Sequence, residues 1–154
     1  MAPAHAARPF ITDDARLLAA SAVQGRAPKL GVLVEVREAY LHCAKAIMRS
    51  ELWTAPSAPE PQGSAAVPEV GAFLAGAPFV VLASTDAHGN ADVSPKGDPP
   101  GLIRQIDDTT IAVADRPGNR RTDTLHNLMD DPRIAVLAMQ PGSHHVAEVR
   151  GTAR

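Results

Sequence analysis

Apolar residues along the chain fall in short runs broken by proline, glycine and Asx residues, and the spacing within each run sets the element it predicts. Thr12-Asp13-Asp14 offers side-chain oxygens to the free amides of a helix start. Ala-Arg-Leu-Leu-Ala-Ala-Ser-Ala-Val follows at helical spacing, so a helix is predicted there, ended by Gly25. Leu30 to Val36 is rich in β-branched residues, is bounded by Pro28 and charged residues, and predicts a strand. Glu38 to Trp53 reads as helix throughout or as a strand through Tyr40-Leu41-His42-Cys43 that turns helical at Ala44; the second reading is preferred. Thr54 to Val67, TAPSAPEPQGSAAV, has almost no large apolar side chain to give to a core and reads as an extended linker.

Beyond the linker the pattern shortens. Glu69 to Leu74 is a brief helical pattern that Pro78 stops, Phe79 to Ser84 is a buried strand, Asp86-Ala-His-Gly-Asn is a tight turn, and Ala91-Asp-Val-Ser returns as its hairpin partner. Further strands are predicted at Leu102 to Ile106, Thr110 to Ala114, Ile134 to Met139 and His145 to Thr152. One helix, Thr122 to Met129, lies among them, with Thr122 or Asp123 available to cap it. Short strands at close spacing with few helices predict a mainly β fold, a small antiparallel barrel or sandwich.

Composition narrows the function classes. A chain of 154 residues supports one core, and 15 basic against 17 acidic residues leave a net charge of -2, with no global positive field to draw in nucleic acid or an anionic membrane. The single cysteine, Cys43, forms no internal disulfide and no cysteine-rich metal site, which agrees with a reducing cytoplasm. The first residues lack the basic-then-apolar order of a secretory signal, and no apolar run approaches ~18 residues, so a cytoplasmic protein that does not span a membrane is expected.

Two segments concentrate chemistry. In Asp115-Arg116-Pro117-Gly118-Asn119-Arg120-Arg121-Thr122-Asp123, three guanidinium groups and several amides stand between a predicted strand and a predicted helix, the donor set that a phosphate dianion requires. An ordinary solvated basic loop is the competing reading, and proline and glycine shape this one so that its donors converge. In Asp92-Val-Ser94-Pro95-Lys96-Gly-Asp-Pro-Pro-Gly101, a serine and a lysine leave a strand end into a proline-pinned loop that holds polar groups at small entropic cost; on composition alone a purely geometric turn is the simpler reading. Six histidines show no zinc-type spacing, no Gly-x-Ser-x-Gly elbow accompanies Ser94 or His126, and no glycine-rich dinucleotide fingerprint is present.

Pro78-Phe-Val-Val-Leu-Ala-Ser-Thr-Asp-Ala-His-Gly-Asn-Ala-Asp-Val-Ser-Pro-Lys-Gly-Asp-Pro-Pro-Gly, Ala114-Asp-Arg-Pro-Gly-Asn-Arg-Arg and Asn127-Leu-Met-Asp-Asp-Pro-Arg-Ile-Ala-Val-Leu resemble the pyridoxamine 5'-phosphate oxidase-like flavin-binding proteins. Glu38-Ala-Tyr-Leu-His-Cys-Ala-Lys-Ala and Arg49-Ser-Glu-Leu-Trp resemble the C-terminal part of the same family, so residues 9–53 correspond to its end and residues 68–154 to its beginning, joined by the linker at 54–67. That order is reversed. Val149-Arg-Gly-Thr-Ala-Arg would run naturally into Pro9-Phe-Ile-Thr-Asp-Asp, which reads as a circular permutation of one domain; a piece of a tandem duplication is the alternative.

The resemblance implies a split β-barrel that dimerises with FMN at the subunit interface and exchanges a hydride with a small-molecule substrate or a nicotinamide. A flavin-storing module without turnover, or a deazaflavin- or haem-binding barrel, are the alternatives it leaves. Carried over by residue, the phosphate loop falls on Asn119, Arg120 and Arg121 with Thr122 at the helix start, the strand groups beside flavin fall on Ser94, Pro95 and Lys96, and Arg116 is added to them. Trp53 is expected to pack. Aromatic residues make up 3% of the chain, so phosphate contacts and not ring stacking must carry most of the flavin affinity.

Overall fold

The computed structural model describes residues 11–54, 68–118 and 120–154. Backbone contacts divide the chain at Leu41/His42 into two units, Met1–Leu41 and His42–Arg154. In the first, β1 (Ile11–Thr12) pairs antiparallel with β2 (Gly31–Val32). Between them α1 (Ala15–Ala19) starts where Asp14 accepts from the Arg16 amide at 2.8 Å, as the sequence predicts. The helix is shorter than expected: the chain leaves it at Ala20 and turns through Gln24 and Gly25, both at positive φ, to close a Val23–Arg26 bridge. The predicted Leu30–Val36 strand is also cut down. Among the described residues its β1 partner offers two residues, and a strand extends no further than its ladder. Val34 and Val36 beyond it are exposed.

The predicted strand at Tyr40–Cys43 is absent: this segment crosses from one unit to the other and joins no ladder, and the chain becomes helical only after Ala44, in α2 (Lys45–Arg49). Most of the predicted 54–67 linker, residues 55–67, lies outside the described residues. The chain resumes at α3 (Val70–Gly76), where the Glu69 carboxylate accepts from the Gly71 and Ala72 amides at 2.8 and 2.7 Å. Those two amides hold the Glu69 carboxyl below its ordinary pKa. At the other end Gln140 Nε2 donates to the Phe73 carbonyl at 2.7 Å, so α3 has a partner for an orphan group at each terminus.

Six strands follow: β3 (Phe79–Thr85), β4 (Ala91–Gly97), β5 (Ile103–Asp107), β6 (Thr110–Val113), β7 (Arg133–Met139) and β8 (Val146–Thr152), with α4 (Asp123–Asp130) between β6 and β7. The β3–β4 turn is fixed by Asp86 Oδ1, which accepts from the His88 and Asn90 amides at 2.8 Å each, while Gly89 takes the left-handed φ of 83° the turn needs. The main sheet is antiparallel in the order β4-β3-β7-β8, and β5-β6 form a separate ribbon. Val80 and Leu82 of β3 meet Val136 and Ala138 of β7, Phe73 and Leu74 of α3, and Leu102 and Ile103 at the start of the ribbon; this is the core.

β4 runs three residues further than the sequence predicts, because Pro95 does not break it. β4 pairs only with β3, and an edge strand can hold a proline whose missing N–H faces away from the ladder. Ser94, Pro95 and Lys96 therefore stand in a strand and not in a loop. No helix among the described residues is long and apolar enough to cross a membrane.

Candidate functional site

Alternation along β4 puts Asp92, Ser94 and Lys96 on one face. Over that face α4 is tied down by polar contacts that its own sequence supplies. Thr124 donates to Asp92 Oδ2 at 2.8 Å, and Asn127 Nδ2 donates to Ser84 Oγ at 3.1 Å; Thr124, Asn127 and Ser84 are all buried. Thr122 occupies the N-cap position, but its hydroxyl makes no cap bond and lies 3.3 Å from His126 Nδ1. Thr122 thus leaves the first amides of α4 without a cap from the N-cap residue itself.

On the other side stands α2. Gly97, at the end of β4, has no side chain where the Ala46 backbone passes, and this lets the helix seat directly on the strand. At its C-terminal end Arg49 Nη2 donates to the Pro117 carbonyl at 3.0 Å. Together α2, the end of β4, the 114–122 loop and the start of α4 enclose a cavity of about 370 Å³.

Seven of the predicted site residues line that one cavity: Ser94, Pro95, Lys96, Arg116, Arg120, Arg121 and Thr122. Asn119 lies outside the described residues. Lys45 and Arg49 of α2 line it as well, and so do His42 and Cys43. Lys45 and Arg49, which stand at i, i+4 on one helix face, carry no motif signal in the sequence. One expectation fails: Trp53 is 77% exposed and does not pack. Cys43 is exposed as well.

The lining is cationic, and three of its cations hold a carboxylate. Lys96 Nζ lies 2.6 Å from Asp115 Oδ1, Arg116 Nε 2.6 Å from Asp98 Oδ2, and Arg121 Nε 2.7 Å from Asp123 Oδ2. Arg120 makes no ion pair or hydrogen bond with a described residue, and its backbone sits at φ 63°, a left-handed conformation that non-glycine residues rarely adopt. One phosphate-sized anion would find here forked donors, a helix start that Thr122 does not cap and an arginine without a partner among the described residues.

Comparison with known proteins places the surrounding frame. Residues 66–154 match the pyridoxamine 5'-phosphate oxidase family, a span covering α3, α4 and β3 to β8 and more than half of the chain. The solved structure of HupZ from Group A Streptococcus aligns with 19% sequence identity and a TM-score of 0.42 over 54% of this chain, which spans 60% of that structure's length. No curated protein sequence matches. The hairpin, the basic loop and α4 are parts of the matched span, and the chain belongs to the pyridoxamine 5'-phosphate oxidase family and carries its split β-barrel fold.

Proposed function

We propose that the protein is an FMN-binding oxidoreductase, working as a homodimer in the cytoplasm and exchanging a hydride between flavin and a small-molecule substrate or nicotinamide. The observation that carries this reading is the convergence of Ser94, Lys96, Arg116, Arg120, Arg121 and Thr122 on one cavity of about 370 Å³, in the lower part of the range that small-molecule sites occupy. The donor set fits the group. Arg120 and Arg121 with the first amides of α4 suit the terminal phosphate of FMN, and Ser94 and Lys96 on β4 suit the polar edge of its ring system.

When bound, FMN supplies reversible hydride chemistry at N5. The chain's own part is to bind and to set charge. Exposed ion pairs such as Arg121–Asp123 contribute only ~0–1 kcal/mol, so a dianion able to engage several cations at once displaces the carboxylates at small cost. Lys96, whose side chain is 21% exposed, is better shielded from water than Arg116 or Arg121 and is suited to stabilise negative charge on the reduced ring. A second copy would cover what one chain leaves open: Leu30, Val32, Val34 and Val36 form an apolar run that is 63 to 77% exposed, more than a monomer ordinarily shows in one segment.

Absorbance of the purified protein and titration with FMN test the reading. Twin flavin bands, or uptake of FMN that quenches its fluorescence, are expected, followed by anaerobic bleaching with NADH or NADPH and recovery on adding an acceptor. A Soret band, or a single deazaflavin band, assigns the cavity to another cofactor. Flavin that binds but that no donor reduces leaves a binding module in place of an enzyme.

A further inference from the structure

The cavity wall contributed by α2 comes from a part of the chain 68 positions away from the basic loop it touches, and the contact is one side chain: Arg49 Nη2 donating to the Pro117 carbonyl at 3.0 Å. Arg49 is half-buried, and the helix that carries it is seated on β4, where Ala46 passes over Gly97 without an intervening side chain. Its last turn is closed by Ser50, itself buried, which donates through Oγ to the Ile47 carbonyl at 3.1 Å and through its amide to the Ala46 carbonyl at 3.2 Å. The other end of the contact lies in a loop. Pro117 and Gly118 belong to no helix or strand, and the next described residue, Arg120, sits in a costly left-handed conformation.

From a helix seated on β4 to a loop without regular structure, a charged donor on a backbone carbonyl acts as a latch. We infer that Arg49 is a positioning residue: by holding the Pro117 carbonyl it keeps Arg120 and Arg121 turned toward the cavity, without itself needing to touch the ligand. Its effect on flavin affinity rests on the FMN reading above; its effect on the loop does not.

The experiment separates the two. Trypsin cuts after Arg120 and Arg121 only when the loop opens into the protease, so cleavage of the cofactor-free protein reports the latch directly. Arg49→Met should raise the rate of those two cuts about tenfold while the cut after Lys96, inside β4, keeps its wild-type rate. Arg49→Lys, which restores a donor, should return close to wild type, and the FMN dissociation constant of Arg49→Met should rise about tenfold. Unchanged cleavage at the loop overturns the latch, as does a parallel rise at Lys96, which would mean general unfolding. Faster loop cleavage with unchanged FMN affinity overturns the positioning role. Weaker FMN binding with unchanged cleavage would instead make Arg49 a direct ligand. A wild-type protein that takes up no FMN overturns the proposed function, and the trypsin comparison still decides the latch.

Discussion

Arg120 keeps a left-handed backbone at φ 63° and has no described partner, two costs on a surface loop that folding alone does not require. Ligand binding is the simplest use for them, and glycine separates the contributions, since it accepts the left-handed backbone freely but has no guanidinium. Arg120→Gly should leave thermal stability unchanged or raise it by up to about 1 kcal/mol, while weakening FMN binding about tenfold. Arg120→Ala should weaken binding as much without the gain in stability. The double variant Arg120→Ala, Arg121→Ala should lose ~1.5–3 kcal/mol per arginine at most, less for Arg121, which must first release Asp123. Full flavin retention by the double variant places the phosphate elsewhere.

Asp131 is a second residue with a readable signature. Arg133 donates to it through its amide, Nε and Nη2, the Thr85 hydroxyl adds a contact at 3.4 Å, and the carboxyl is held at about 2 against an ordinary 3.8. A depressed carboxyl favours the folded state fully above the ordinary value, and that contribution disappears as pH falls from 3.8 through about 2. Wild type should therefore exceed Asp131→Asn in urea midpoint at about pH 5, and the gap should narrow toward about pH 2. A gap that holds constant across that interval removes Asp131 from the acid response.

Among elements, the seat of α2 on β4 depends on one missing Cβ. A side chain at Gly97 would run into the Ala46 backbone, which cannot move without carrying the helix, whereas Gly151 in β8 has open space around it. Gly97→Ala should cost about 1–3 kcal/mol, lower the melting temperature by roughly 3–10 °C and weaken FMN binding through Arg49. Gly151→Ala should be neutral or slightly stabilising. Equal behaviour of the two variants contradicts this account of the α2 seat. The same two elements mark what the sequence could and could not convey. The apolar run of β3, the Asp86–Asn90 turn and the strands that follow are local patterns, and they are where they were predicted. The far end of β4 was not, because Pro95 breaks a central strand and is harmless on an edge, and strand order is not written in local pattern. Leu30–Val36 has every mark of a strand but, among the described residues, only two of β1 to pair with. The basic loop stood out by composition and by resemblance, whereas Ser94, Pro95 and Lys96 stood out by resemblance alone; the structure adds that seven of these candidates line one cavity. Arg49 and Lys45 did not stand out, since the Arg49 contact joins residues 68 apart and only the fold brings them together.

The whole molecule puts the order of its parts to the test. α2 precedes the 54–67 segment, yet it belongs to the same unit as everything after it and forms a wall of the same cavity as β4 and α4. A permuted single domain predicts this of the whole piece displaced to the front; residues from His42 on are in that unit, and Met1–Leu41 form a unit of their own. A chain that starts at Pro68, runs to Arg154, continues directly into Pro9 and ends at Trp53 restores the family's order with the same residues. It should fold with a melting temperature within a few degrees of the parent, bind FMN with similar affinity and sediment as a dimer. On the proposed homodimer, Val34→Asp, which puts a charge in the exposed apolar run, should turn both forms into monomers and lower their flavin affinity. If the reordered chain fails to fold while the parent folds, the two segments are pieces of a duplication and not one domain cut open. If it folds, binds FMN and remains a dimer only while Val34 is intact, then fold, cofactor and assembly all follow from the residues irrespective of where the chain is opened.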